Sequence, residues 1–205
     1  MSLDIERTRF NMVEQQVRPW DVIDLRVLDV LSRVRREDFV PADSRALAFA
    51  DAELPIGHGE RMMKPVLEGR LLQALAVQEG DSVLEIGTGS GFVTACLAAL
   101  ARDVTSVEIH ADLAASAEQK LTRAGVANTR VHVADALKGY APGRSFDAIA
   151  VTGAVYHEPE QLRSWLAVGG RMFLVRGESP VMEAVLITRT GDSSFREESL
   201  FETDL

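Results

Sequence analysis

The sequence predicts an α/β fold in which a mostly parallel sheet carries helices on both faces. Three observations predict it. From Asp81 onward, short apolar runs alternate with helical patterns, the order that builds crossover units. The first such run, "VLEIG", passes through a glycine-rich turn directly into a helical pattern. The chain then closes on "VMEAVLITRT", "GDSS" and "FREESLFET", two strand-like segments around a turn that read as an antiparallel edge hairpin. The expected architecture is a Rossmann-like, doubly wound three-layer sandwich, one domain spanning 1–205. Within it, 1–78 form a helical extension with a loop, and 79–205 form the ligand-binding core.

The bulk numbers agree with a compact soluble protein. A chain of 205 residues with 46% hydrophobic and 26% charged residues can bury one substantial core. Its net charge of −9 argues against a nucleic-acid backbone as partner, which would need a basic face. No apolar run is long enough for a membrane span, and "MSLDIERTRF" is too charged for a secretory signal. Cys96 is the only cysteine, so no internal disulfide forms, which fits a cytoplasmic setting. Its place in "TACLAAL" marks it as a packed small side chain.

In chain order, "LDIERTRFNMVEQQV" places Phe10, Val13 and Val17 at helical spacing. A second helix follows in "DVIDLRVLDVLSRV", with Asp21 as the expected N-cap and Val22, Leu25, Val27, Leu28 and Leu31 as its apolar residues. Trp20 and Trp165 are expected to pack on helix faces, and the mixed charges of "VRREDF" to form a solvated helix end. "LPIGHGERMMKP" reads as a loop, closed by Pro65 at the first position of a helix whose Leu67, Leu71 and Leu75 repeat on one face. Strands are then expected at "SVLEIG", "VTSVEI", "TRVHVAD", "FDAIAVT" and "GRMFLVRG". Helices are expected at "FVTACLAALA", "ADLAASAEQKLTRAG" and "EPEQLRSWL". His58, His110, His132 and His157 show no metal-ligand spacing, so no metal is assigned; His157 reads as a surface-loop residue.

"VLEIGTGSGF" carries the strongest functional signal. A dinucleotide fingerprint has the spacing G-x-G-x-x-G, but here Gly87 and Gly89 are followed by Gly91, and Phe92 occupies the third glycine's place. Phe92 would obstruct the close packing that a nicotinamide site needs. Glu85, one residue before the turn, would repel a pyrophosphate and suits a cofactor that is cationic at this end. S-adenosyl-L-methionine has both an ammonium and a sulfonium. The glycines, with Thr88 and Ser90 between them, let the backbone approach it. Glu108 ends the second strand, beside Ile109, and is placed to accept ribose hydroxyls. Asp135 ends the third, a candidate acceptor for the adenine amino group with the amide of Ala136 beside it.

With "VLEIGTGSGF", "SVEIH", "ADAL" and "FDAIAVTGA" in order, the chain resembles class I S-adenosylmethionine-dependent methyltransferases. "REDFVP", "FADAELPIGHGERMMKP" and "VTGA" narrow the resemblance to the protein-L-isoaspartate O-methyltransferase family, over about residues 9 to 178. The resemblance implies a seven-stranded Rossmann-like sheet and a soluble repair enzyme. That enzyme would methylate the carboxylate of isoaspartyl residues in damaged proteins or peptides and release S-adenosyl-L-homocysteine. It also implies that Thr152 and Gly153 close the cofactor pocket; in the alternative where Arg61 and Lys64 point to solvent, Met62 and Met63 pack over the cofactor as apolar cover.

The departure lies in the loop, where the family has the form G-x-G-Q-T-I-S-x-P. Here Gly57, His58 and Gly59 keep the frame, but Glu60 stands for the glutamine, Arg61 for the threonine and Met63 for the serine. A methionine cannot donate the hydrogen bond that a serine offers an acceptor carboxylate. Arg61 or Lys64 is the candidate replacement, since a guanidinium binds a carboxylate bidentately. Gly57, His58, Gly59 and Lys64 are thus expected around the acceptor, with Arg61 and Met63 at the reacting centre. Three other readings stay open here: a methyltransferase with a small-molecule acceptor, a catalytically silent cofactor-binding protein, and a nicotinamide oxidoreductase, disfavoured by Glu85 and Phe92. The oligomeric state has no signature in the sequence.

Overall fold

The computed structural model describes residues 4–205; residues 1–3, where the first expected helix begins, lie outside the described residues. The amino-terminal region holds helices α1 (Ile5–Met12) and α2 (Leu25–Arg33) with shorter helical turns around them. Next come strands β1 (Leu54–Gly57) and β2 (Glu60–Met62) and helix α3 (Pro65–Leu75). The remainder alternates as expected: β3 (Ser82–Ile86), α4 (Phe92–Leu100), β4 (Asp103–Glu108), α5 (Ala111–Arg123), β5 (Thr129–Val133), β6 (Phe146–Val155), α6 (Glu160–Ser164) and β7 (Leu166–Glu178). Two final strands, β8 (Val181–Arg189) and β9 (Phe195–Thr203), form the antiparallel hairpin.

Seven strands make one sheet in the order β5-β4-β3-β6-β7-β8-β9, the first five parallel. Strand pleating explains the apolar runs. In β7, Phe173 and Val175 point into the cluster that includes α2, α3 and α4, while Met172 and Leu174 point into the cluster that includes Leu162 of α6. Both faces are buried, so successive residues must all be apolar. From β3 the chain winds one way through β4 and β5, then returns to place β6 on the other side of β3. That reversal opens a crevice at the carboxyl ends of β3 and β6, the place where doubly wound sheets bind ligands.

Several amino-terminal expectations are corrected. The loop is a β-hairpin, β1 paired antiparallel to β2 around a two-residue turn, too short for its alternation to register in the sequence. Asp21 lies in left-handed backbone, and Asp24 is the N-cap of α2, accepting from the Arg26 amide. Val22 is buried but precedes that helix, and Leu25 on it is exposed. Phe10 and Trp20 are each 61% exposed, whereas Val13 and Val17 are buried. The "VRREDF" segment is no solvated end. Arg36 and Glu37 are buried, Arg36 against Glu68 and Glu37 against Arg9 and Arg35. No helix among the described residues is long and apolar enough to cross a membrane.

Candidate functional site

A cleft of about 680 Å³ lies at the switch point. Its floor is Ile86, Gly87, Gly89, Thr152 and Gly153; one wall is Glu108, Ile109, Asp135 and Ala136, the other Gly59, Glu60 and Arg61 of the hairpin. A smaller hollow beneath the hairpin is lined by Arg61, Met62, Met63, Thr88 and Ser90, with Gly87, Gly89 and Thr152 at its edge. A larger concavity of about 890 Å³ lies far from the glycine turn, around Arg102 and Arg130. None of the predicted residues lines it.

The glycine turn fits a ligand that approaches its backbone. Gly87 has φ +98°, and a Cβ there would lie 2.6 Å from Thr152 Oγ1. Thr152 is held in place by donating to the carbonyl of Ile86 at 2.9 Å. Gly91 has φ +86° and begins α4; a Cβ there would meet Ala117 of α5 at 3.1 Å, so this glycine permits the helix contact. The side chain of Phe92 turns away from the cleft into the core, edge-on to Phe39 and below the Arg36 guanidinium.

Glu108 is poised on the cleft wall. One oxygen accepts from the Gly89 amide at 2.8 Å, the other from the His110 amide at 3.0 Å. A carboxylate fixed this way retains lone pairs for a pair of ligand hydroxyls. At the end of β5, Asp135 commits one oxygen to the amides of Leu137 and Lys138, leaving its second for a ligand donor. Gln161 holds the Ala136 carbonyl from behind.

Glu85 is the main correction within the site. It was expected to face the ligand, but it shares the pleat of Val83, is 0% exposed and lines neither hollow. Its Oε2 accepts from the hydroxyls of Thr94 and Ser106, and its Oε1 has no partner among the described residues. Burial pushes its carboxyl up to about 7; the two hydroxyls oppose this, and the charge of Glu108 adds to it. Glu85 therefore underpins the turn from below, and Ser106 links it to the Thr88 hydroxyl.

The hairpin residues divide. Arg61 reaches both hollows, Met62 and Met63 are buried beneath the hairpin, and Gly59 lines the cleft. Lys64 and Gly57 line neither. His58 is also outside the cleft, but it is not isolated as its scattered place in the chain implied. Its ring stacks on His110, and it bonds the carboxylate of Asp112.

Sequence reasoning missed three supports. Arg36 donates to the Met63 carbonyl at 2.7 Å and to the Ala48 carbonyl, fixing the end of the hairpin. Lys120 donates to the carbonyls of Phe39 and Ser90, and burial lowers its pKa. Asp112 holds His58 from the first turn of α5. Each lies on an amphipathic or charged stretch that resembles ordinary surface, and each partner is distant in sequence.

Known proteins resemble this chain over nearly its whole length. The family model described as protein-L-isoaspartate(D-aspartate) O-methyltransferase (PCMT) matches residues 8–203. A protein-L-isoaspartate O-methyltransferase of Magnetococcus marinus is 40% identical over 195 residues, covering 95% of this chain and 85% of its own. One from Myxococcus xanthus is 45% identical over 154 residues, covering 75% of this chain and 73% of its own. Among solved structures, a candidate enzyme of the same name from Plasmodium falciparum, in complex with S-adenosyl-L-homocysteine, has a TM-score of 0.83. It covers 95% of each chain at 20% identity, a likeness of fold.

Proposed function

Since the chain belongs to the protein-L-isoaspartate(D-aspartate) O-methyltransferase family, we propose that it methylates carboxylates of damaged proteins, isoaspartyl residues foremost, with S-adenosyl-L-methionine as donor. The observation that carries this reading is Glu108, fixed by the amides of Gly89 and His110 on the wall of a glycine-floored cleft. That is a ready acceptor for two vicinal hydroxyls. Phe92 and Glu85 both turn into the core and line no part of this cleft.

When bound, the cofactor supplies an electrophilic methyl group on a sulfonium. The residues of this chain hold and orient. Glu108 accepts from the ribose hydroxyls, and the free oxygen of Asp135 accepts from the adenine amino group, with Ile109 and Ala136 beside the base. Gly87, Thr88, Gly89 and Ser90 present backbone to the methionine arm. Thr152 holds the turn in shape, and Gly153 leaves the far side open. Met62 and Met63 exclude water beneath the hairpin.

The acceptor carboxylate is already ionised at neutral pH, so the chain needs no general base. Its task is alignment, which supplies roughly 7–11 kcal/mol in well-oriented reactions. Arg61 is the only cation lining the cleft among the described residues, and it takes the role of binding the acceptor. Lys64 and Gly57 have no place in this reading.

The test is methyl ester formation on an isoaspartyl peptide, with the matching aspartyl peptide as control. Ester on the isoaspartyl peptide alone supports the reading. Cofactor binding with transfer only to small carboxylic acids would move the acceptor to a small molecule, and binding without any transfer would leave a silent binder.

A further inference from the structure

We infer that His58 is a positioning residue: by clamping the hairpin tip to the segment that follows Glu108, it couples cofactor binding to acceptor binding. This rests on the reading above, with the cofactor ribose at Glu108 and the acceptor at Arg61.

The hairpin turn is His58–Gly59, between paired Gly57 and Glu60. Both turn residues have positive φ, +56° and +83°, as a tight two-residue hairpin of this kind requires. Asparagine and glycine are the commonest residues at the first position, and histidine is also tolerated in left-handed backbone. What sets His58 apart lies outside the turn. The His58 ring stacks on His110 with centroids 4.0 Å apart and planes 7° apart, and its Nε2 is 2.9 Å from both oxygens of Asp112. The Asp112 carboxyl is held below its ordinary range by that bond. Glu60, on the next strand of the hairpin, approaches His110 Nε2 at 4.0 Å, so the hairpin touches this segment twice.

What the hairpin grips is the other half of the site. His110 donates its amide to Glu108, and Glu108 also accepts from Gly89 in the glycine turn. Three residues beyond His58, Arg61 lines the cleft. A ligand on Glu108 that tightens the His110 segment therefore tightens the platform on which the hairpin tip rests. By linkage, an acceptor held at Arg61 must favour the cofactor by the same factor.

The experiment is a binding cycle read by calorimetry, using S-adenosyl-L-homocysteine and an isoaspartyl peptide on the full chain. In the unaltered protein, saturating S-adenosyl-L-homocysteine is expected to raise peptide affinity about fivefold or more, as coupling energies of this order imply. His58→Asn keeps the turn, since asparagine is favoured there, but removes the stack; Asp112→Ala removes the carboxylate. Each is expected to bring the coupling factor to about one while the thermal midpoint stays within roughly 2 °C. His58→Gln, which retains a planar donor of similar reach, is expected to restore part of the coupling. Undiminished coupling in both His58→Asn and Asp112→Ala would overturn the inference. Absence of coupling in the unaltered protein would overturn it too. Failure of either ligand to bind at all counts instead against the reading of the cleft.

Discussion

Arg36 and Glu68 form a two-pronged ion pair in the core, Nε and Nη2 of the arginine donating to the two carboxylate oxygens at 3.0 and 3.1 Å, with side-chain exposures of 0% and 1%. The remaining guanidinium capacity goes to the carbonyls of Ala48 and Met63. This arginine closes the "REDFVP" segment onto α3 and holds the last residue of the buried hairpin face. Removing one partner strands the other's charge, which costs about 3–5 kcal/mol. Arg36→Met is therefore expected to lose stability on that scale in urea denaturation. Arg36→Met with Glu68→Leu is expected to lose less than the single change. A double variant no more stable than Arg36→Met would mean that the carbonyl bonds, lost in both variants, and not the stranded carboxylate set the cost.

Glu85 yields a prediction in pH. Its carboxyl is raised from 4.5 to about 7 in the folded chain, with burial as the largest cause. The folded state therefore holds this proton more tightly than the unfolded state. Its contribution is fully present below about pH 4.5 and fades as pH rises through 7. Glu85→Gln, which mimics the protonated form, is expected to gain on the parent protein as pH goes from 5 to 8, by about 1–3 kcal/mol. Denaturant midpoints at several pH values would check it, and a constant difference between the two proteins would refute it. The sign applies to the ligand-free protein, since a cation bound above the turn would favour the ionised form.

How much of this was legible in the sequence depends on how each feature is encoded. The doubly wound half could be read almost strand by strand: the central strands, buried on both faces, appear as apolar runs, while the largely exposed edge strand β5 shows only the alternation of "TRVHV" ahead of Asp135. The hairpin could not: β1 and β2 have four and three residues, too few for a period of two to stand out from a loop. Glu85 was located but its direction was not, since alternation says that it shares a face with Val83 without saying which face holds the cleft. Arg36 and Glu37 were misread because a run of mixed charge ordinarily lies in water, and their partners Glu68 and Arg9 are 32 and 28 positions away. His58 and His110 looked scattered for the same reason. The turn that joins them exists only after β1 and β2 pair.

Gly87, on the floor of the cleft, contrasts with Gly80, which lies outside the cleft ahead of β3. At Gly87 a methyl group would lie 2.6 Å from Thr152 Oγ1, in backbone of φ +98° that suits glycine alone. Around Gly80 a Cβ meets nothing within 4 Å. Gly87→Ala is expected to cost about 1–3 kcal/mol in stability and to weaken S-adenosyl-L-homocysteine at least tenfold. Gly80→Ala is expected to leave affinity within about twofold. Calorimetry on both variants distinguishes a turn that must admit the ligand from one that only closes a loop. Equal affinities would remove the glycine turn from the binding site.

The last prediction concerns the rewritten hairpin. Arg61, which the resemblance sets against a threonine of the family pattern, lines both hollows, while Lys64 lines neither. If Arg61 binds the acceptor carboxylate, its removal must act on the acceptor and spare the cofactor. Arg61→Ala is expected to raise KM for an isoaspartyl peptide about tenfold, a modest figure because the side chain is exposed and screened by water. The dissociation constant of S-adenosyl-L-homocysteine should change by less than about twofold. Arg61→Lys keeps the charge but loses the planar fork, so it should recover only part of the lost affinity. Lys64→Ala supplies the comparison and should leave KM near that of the parent. The pattern across the three variants matters more than any one value. Full recovery by lysine would mean that bulk charge suffices. Unchanged KM in Arg61→Ala would return the acceptor to another part of the cleft, leaving Met62 and Met63 as apolar cover alone.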